Sequence, residues 1–201
     1  MKNLSTNQGC AAVLAGLLMF LAEACATTVA PTTFSEIVAQ AEVIVTAQVL
    51  ARRCEWAGTG NERRIVTVVT LEVQAVHKGT PLTRLELVFL GGTVGDTTLE
   101  VAGVPQFQVG ERSVLFVEKN GRKFCPLAGI CHGKLTIEHD ARTGRQILLR
   151  HNRRPLMDIR ELGSVEGPVA QAAGAAPDAQ QPLTVDEFAA QIRQELRKSS
   201  P

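Results

Sequence analysis

VIVTAQVL at residues 43–50 and IVTVVTLEVQAV at residues 65–76 are the two stretches that decide the fold of this 201-residue chain. Apolar residues, mostly Val, Ile and Leu, recur in both at nearly every second position, which is the period of a β-strand rather than of a helix. A loop over residues 55–61 separates them, and the turn-forming run at residues 77–81 (HKGTP) ends the second. These stretches therefore predict two long neighbouring strands.

Shorter apolar runs continue this pattern toward the C-terminus. Asn120-Gly121 predicts a type I′ hairpin, and the glycine-rich run at residues 91–96 predicts a bend between strands. Many short strands with turns between them are typical of an all-β barrel or sandwich. The further strands are predicted at residues 85–89, 99–101, 114–117, 135–137 and 147–149.

Two short helices flank the predicted β-domain. Thr33 and Glu36 have capping-box spacing before an apolar pattern at residues 34–41, and Thr184 and Glu187 repeat that spacing before a second pattern. Gly, Ala, Pro and Gln dominate the intervening residues, a composition too poor in large apolar groups to pack. We therefore predict a β-barrel domain at 31–162, a flexible linker at 163–182 and a C-terminal amphipathic helix at 183–198, which we expect to dock on the barrel.

The N-terminal 26 residues are predicted to be a signal peptide. Residues 11–22 (AAVLAGLLMFLA) form an apolar run after Lys2 that is too short for a membrane span, which needs about 20 residues. Small residues allow cleavage after Ala24, which leaves Cys25 first, or after Ala26, which removes it. Residues 21–25 also resemble a lipobox, in which Cys25 is acylated. We expect an exported, periplasmic or extracellular protein that is membrane-associated only if Cys25 is lipidated.

Export would place the cysteines in an oxidising compartment, where disulfides form. Cys125 and Cys131 enclose a short turn-rich loop, so we predict a disulfide between them in an oxidising compartment. Cys54 is either paired with Cys25 or left over. A zinc set of Cys54, Cys125, Cys131 and His132 is conceivable, but its spacing is unlike that of structural zinc sites, and we predict no cofactor.

The net charge and the sequence motifs exclude several classes of function. Lys and Arg total 21 against 20 acidic residues, so the net charge of +1 excludes a strong polyelectrolyte binder and predicts no nucleic-acid partner. Sequence motifs of zinc peptidases, serine hydrolases and P-loop enzymes are missing, and the four histidines are expected at the surface. We therefore predict a non-enzymatic binding module for a protein or cell-surface ligand. An enzyme is the lowest-ranked of the functions that we consider.

An acid-free stretch near the C-terminal hairpin is rich in arginine. Such a stretch indicates either a patch for an anionic partner or a solvated edge protected by charge. Its members are Arg142, Arg145, Arg150, Arg153 and Arg154.

Several motifs together resemble a group of exported bacterial proteins with no assigned activity: the helix at 34–41, the strand EVIVTAQV at 42–49, VHKG at 76–79, GVPQF at 103–107 and GKL at 133–135. The pattern AxAEVIVxAQV at 39–49 is also similar to the first strand of netrin-like modules, the OB-type barrels of tissue inhibitors of metalloproteinases. This resemblance implies a small five-stranded barrel. It also implies the alternative function, an inhibitor whose mature N-terminal Cys25 chelates the zinc of a metalloprotease.

Overall fold

The computed structural model describes residues 32–163 and 181–199. The predicted signal peptide at 1–26, Cys25 and most of the predicted linker at 163–182 lie outside the described residues. In the described part of the chain no helix is long and apolar enough to cross a membrane.

The described residues are mostly β-structure, as the sequence predicts. Short 3₁₀ turns lie between some of the elements. In chain order the helices and strands are α1 (Phe34–Gln40), β1 (Val43–Ala57), β2 (Arg64–Lys78), β3 (Arg84–Leu90), β4 (Gly92–Val94), β5 (Thr97–Leu99), β6 (Arg112–Val117), β7 (Lys134–His139), β8 (Gln146–Leu149) and α2 (Val185–Ser199).

Six strands form one antiparallel sheet in the order β3-β2-β1-β6-β7-β8, and β4 and β5 form a separate hairpin. The sheet is open, because no hydrogen-bonded ladder joins its outer strands β3 and β8 within residues 32–163 and 181–199. The prediction of an all-β fold flanked by two helices is confirmed. The predicted closure into a small OB-like or netrin-like barrel is not observed.

Both outer strands are contacted along their free edges by other parts of the chain. At β3, Asn120 accepts a hydrogen bond from the Val88 backbone N–H (3.1 Å) and donates one to the Glu86 carbonyl (2.6 Å). At β8, Leu149 bridges Pro155 and Ile147 bridges Thr184. These contacts satisfy backbone groups that closure of a barrel would otherwise use.

The Asn120-Gly121 turn does not form the predicted hairpin. A type I′ turn requires a positive φ at both central residues, whereas Gly121 but not Asn120 has one. The Asn120 side chain is bound to β3, and no strand is formed directly after the turn. The other predicted hairpin is confirmed, since β7 and β8 pair with Ile137 opposite Leu148.

Both helices have the predicted caps. The Thr33 hydroxyl accepts from the Glu36 N–H, and the Glu36 carboxylate accepts from the Thr33 N–H (2.7 Å). Thr184 and Glu187 make the same reciprocal pair (2.8 Å from the Thr184 nitrogen to the carboxylate). The caps satisfy N–H groups that the helices leave unpaired, and so fix where α1 and α2 begin.

Two hydrophobic clusters lie on opposite faces of the sheet, because successive residues of a strand point to opposite sides. The helix-face cluster packs under α1 and α2, which confirms that α2 docks on the sheet. The loop-face cluster is covered by residues from the connections. The helix-face cluster comprises Phe34, Ile37, Val38, Ala41, Ile44, Val114, Phe116, Ala128, Leu135, Ile137, Leu148, Leu156, Leu162, Phe188 and Ile192. The loop-face cluster comprises Val45, Ala47, Val49, Val69, Leu71, Leu87, Phe89, Phe107, Leu115, Val117, Cys125 and Leu127.

Candidate ligand cavity and cysteine–histidine cluster

A cavity of about 860 Å³ lies on the loop face, between the sheet, the β4–β5 hairpin and the connection at residues 100–107. Its volume falls in the range of small-molecule sites, roughly 300–1,000 Å³. Apolar and hydrogen-bonding groups both line it. The lining residues are Arg52, Cys54, Thr67, Phe89, Leu90, Gly91, Gly92, Thr93, Thr98, Leu99, Glu100, Val101, Ala102, Val104, Pro105, Gln106 and Phe107.

A β-bulge in β1 turns Arg52 and Cys54 toward this cavity. The pairing of β1 with β2 shifts by one residue between Val49 and Ala51, so that Arg52 lies opposite Val69 and Cys54 opposite Thr67. Residues opposite each other in an antiparallel pair point to the same face. The bulge therefore moves even-numbered residues of β1 to the face that odd-numbered residues occupy earlier in the strand.

Two glycines let the β4–β5 hairpin approach the sheet. Gly91 and Gly92 have φ values of +105° and +130°, a region that other residues rarely adopt. A Cβ atom on Gly92 would stand 2.6 Å from the Thr67 Oγ1 and 2.7 Å from the Cys54 Sγ. The hairpin thus forms one wall of the cavity only because position 92 has no side chain.

Lys134 holds the connection that covers the cavity. Its ammonium group pairs with the Glu111 carboxylate at 2.6 Å, donates to the Gln106 carbonyl and lies 4.4 Å from the centre of the Phe107 ring. Burial lowers the pKa of Lys134, and the hydrogen bond to Glu111 opposes that effect. Lys134 therefore fixes the Phe107 ring, which packs on Phe89 with centroids 5.1 Å apart.

Charged and aromatic groups both line the cavity. Arg52 contributes a guanidinium group, which donates to the Phe107 carbonyl at a long 3.4 Å, and Glu100 contributes a carboxylate. The rings of Phe89 and Phe107 supply an apolar wall. This combination suits a small molecule with an apolar body and a polar or anionic group. The sequence does not predict this site, because a bulge and a tertiary contact create it.

A second cluster of chemically active groups lies near one end of the β7–β8 hairpin. Cys131 and His132 belong to the 3₁₀ turn immediately before β7, and His151 lies in the turn after β8. Because β7 and β8 are antiparallel, these positions meet at the same end of the pair. The ligand atoms of the three residues lie within 4.8 Å of one another, and the two imidazole rings are 4.9 Å apart, edge to face.

The cysteines differ from the sequence predictions. Cys54, Cys125 and Cys131 are free thiols in the structure, so the predicted disulfide between Cys125 and Cys131 is not formed there. Burial raises the pKa of Cys125 to about 11 and also raises that of Cys131. The conceivable zinc set is separated as well, because Cys54 lies at the cavity and His151 joins Cys131 and His132 instead.

The arginine stretch is largely paired with carboxylates from outside it. Arg145 contacts Glu187 of α2 at 3.1 Å, Arg150 lies 3.6 Å from Glu161, and Arg153 contacts Glu138 of β7. The sequence shows no acid within this stretch, but the fold brings three to it. The expected local excess of positive charge is therefore reduced, and an anionic partner for Arg142, Arg145, Arg150, Arg153 and Arg154 remains a prediction.

His77 is half-buried rather than at the surface. Its Nε2 lies 2.9 Å from the Thr46 Oγ1, under the α2 side of the sheet. Burial lowers the pKa of His77, and the positive charge of Arg193 adds to that effect. The neutral imidazole is therefore favoured in the folded protein.

Comparison with known proteins gives no relative from which a role could be transferred: no protein-family model and no curated protein sequence matches the chain. Cys25, which the metalloprotease-inhibitor alternative requires, lies outside the described residues. That alternative therefore remains a prediction.

Proposed function

We propose that this protein is an exported, non-enzymatic binding module that holds a small amphipathic molecule in the loop-face cavity. The observation that carries the proposal is the cavity itself, which combines about 860 Å³ of space with an aromatic wall and a guanidinium group. An anionic group of the ligand would meet Arg52. Its apolar part would lie against Phe89 and Phe107.

The lining supports binding rather than catalysis. Among the described residues that form it, the ionisable side chains are Arg52, Cys54 and Glu100, and no histidine is present. General acid–base catalysis usually relies on a group that exchanges protons near neutral pH, most often histidine. Export is supported by the apolar run at residues 11–22 and the small residues after it.

The proposal is tested by titrating the purified protein with 1-anilinonaphthalene-8-sulfonate, a fluorescent molecule with an apolar ring system and one sulfonate. Arg52→Gln removes the cation at the cavity, and loss of one charge-assisted hydrogen bond weakens binding by about tenfold. Arg53→Gln is the matched control, because Arg53 points to the other face, where it pairs with Glu55 and Glu86.

A substitution that fills the cavity provides a second test of the proposal. Ala102 is exposed at the cavity wall, so Ala102→Trp should abolish dye binding without disturbing the core. Val109 follows this connection before β6 begins, is 67% exposed and does not line the cavity. Equal dye affinity in Ala102→Trp and Val109→Trp, or in the two arginine variants, would show that the cavity is not the binding site.

A further inference from the structure

We propose that Cys131, His132 and His151 bind a divalent transition-metal ion of the zinc class. One thiolate and two imidazoles are the donor groups that such ions prefer, whereas Ca²⁺ and Mg²⁺ select oxygen ligands. The three ligand atoms already lie within 4.8 Å of one another in the structure. This site is separate from the cavity of the proposed function, since none of the three residues lines that cavity.

A small movement would convert this cluster into a coordination site. Donor atoms 2.0–2.3 Å from a tetrahedral zinc ion lie about 3.3 to 3.8 Å from one another. The largest separation here therefore needs to shrink by about 1 Å. His151 is exposed, so its side chain can rotate toward Cys131 and His132 without a change in the core.

The backbone on both sides of the cluster is held in defined turns. Gly129 and Ile130, directly before Cys131, have φ values of 68° and 57°, and a positive φ is unusual for a β-branched residue such as Ile130. On the other side, hydrogen bonds of 2.9 Å join the Arg153 nitrogen to the Arg150 carbonyl and the Arg150 nitrogen to the Arg154 carbonyl. These turns hold the donors together before any ion binds.

The charge around the cluster permits a cation. Arg150 and Arg153 flank His151 in sequence and would repel a metal ion if they were uncompensated. Arg150 lies 3.6 Å from the Glu161 carboxylate, and Arg153 is paired with that of Glu138. The local positive charge is therefore offset by two carboxylates.

Three protein ligands leave one position of a tetrahedral ion for water or for a group of another molecule. Structural zinc sites in proteins normally have four protein ligands, whereas open sites have three. The proposed site is therefore an open one. It would bind its ion less tightly than a four-ligand structural site and would present that ion to a further ligand.

The site is tested on the full chain, kept reduced with a phosphine because thiol reductants bind metal themselves. Titration with Co²⁺ should give the sulfur-to-cobalt charge-transfer band of a bound thiolate, and Zn²⁺ should displace Co²⁺ with one ion per chain. Cys131→Ser should remove the band. His151→Ala should weaken Zn²⁺ binding by at least tenfold, and because His151 is exposed the variant is expected to fold.

His139→Ala is the matched control, because His139 is also exposed but lies at the other end of the β7–β8 hairpin. Cys54→Ser controls for the remaining half-buried thiol. The proposal is overturned if neither ion binds, or if His151→Ala and Cys131→Ser bind Zn²⁺ as tightly as His139→Ala. Thermal unfolding of each variant without metal verifies that lost binding does not reflect lost structure.

Discussion

The two faces of the six-stranded sheet are covered in different ways. On the helix face, Phe34, Phe116 and Phe188 bring together α1, β6 and α2, with ring centroids 5.7 to 6.4 Å apart. On the loop face, Phe107 packs on Phe89, and a cavity of about 860 Å³ lies beside the two rings. One face is therefore filled by apolar side chains, whereas the other combines apolar packing with open space.

The difference follows from the backbone of the covering segments. A helix satisfies most of its own N–H and C=O groups and can press an apolar stripe directly against a sheet. An irregular connection needs other partners for these groups. The carbonyls of Gln106 and Phe107 receive hydrogen bonds from Lys134 and Arg52. Covering a sheet with a loop thus brings polar side chains to that face, and these are the groups a binding site uses.

The largest loss of stability is expected on the helix face. Phe188→Ala removes a ring that is fully buried between α1 and β6, so we expect the free energy of unfolding to fall by about 4 kcal/mol. Phe107→Ala removes a ring that already borders a cavity and therefore has fewer neighbours to lose, and about 3 kcal/mol is expected. Urea unfolding measures both. A larger loss for Phe107→Ala would contradict the contrast between the faces.

The second prediction concerns the contact that holds the loop. Lys134→Ala leaves the Glu111 carboxylate without its cation, with only the hydroxyl of Ser113 still donating to it, and only 9% of the Lys134 side chain and 13% of the Glu111 side chain is exposed. We expect a loss of about 3 kcal/mol in the free energy of unfolding. Lys198→Ala removes an exposed lysine from its pair with Glu195 and should cost less than 1 kcal/mol. Similar losses in the two variants would mean that Lys134 does not hold the connection.

A third prediction compares two glycines of the β4–β5 hairpin. Gly92→Ala places a methyl group against Thr67 and Cys54 at φ +130°, and should cost about 2 kcal/mol. Gly95→Ala adds a methyl group with no atom within 4 Å at φ +58°, so only the backbone cost of about 1 kcal/mol remains. Chemical unfolding measures the difference. If the two variants are equally stable, the hairpin does not press on the sheet as described.

The smallest expected effect is a pH dependence on the helix face. The folded protein lowers the pKa of His77 below its ordinary value of 6.5, so the unfolded chain takes up a proton at a higher pH than the folded one. The contribution of His77 to stability is complete above pH 6.5 and is lost as the pH falls through the lowered pKa. His77→Gln should flatten the decline in the unfolding free energy at acidic pH. If the decline is unchanged in His77→Gln, titratable groups other than His77 cause the loss of stability at acidic pH.

Sequence reasoning succeeded where the signal is local. The capping pairs Thr33–Glu36 and Thr184–Glu187 fixed the starts of both helices, since each involves residues three positions apart. Alternating apolar residues located β1 and β2, although β1 extends to Ala57, beyond the apolar pattern, because its polar second half still pairs with β2.

Features that depend on distant residues were missed. The bulge after Val49 changes which side chains face the cavity, and no residue type in β1 marks it. His151 joins Cys131 only because β7 and β8 pair. The one available signal was the predicted hairpin itself, since residues just before its first strand and just after its second must meet. The acids that pair with the arginine stretch likewise come from other elements.

The Asn120 side chain closes the edge of β3 in the way a neighbouring strand would, because its amide oxygen and nitrogen take the places of a peptide C=O and N–H. The Leu90 N–H is bound in turn by the Phe124 carbonyl (2.7 Å). A second copy of this protein that added a strand here would have to displace the Asn120 amide from the Val88 N–H and the Glu86 C=O. Asn120 therefore opposes edge-to-edge pairing, the contact through which exposed strands associate into fibrils.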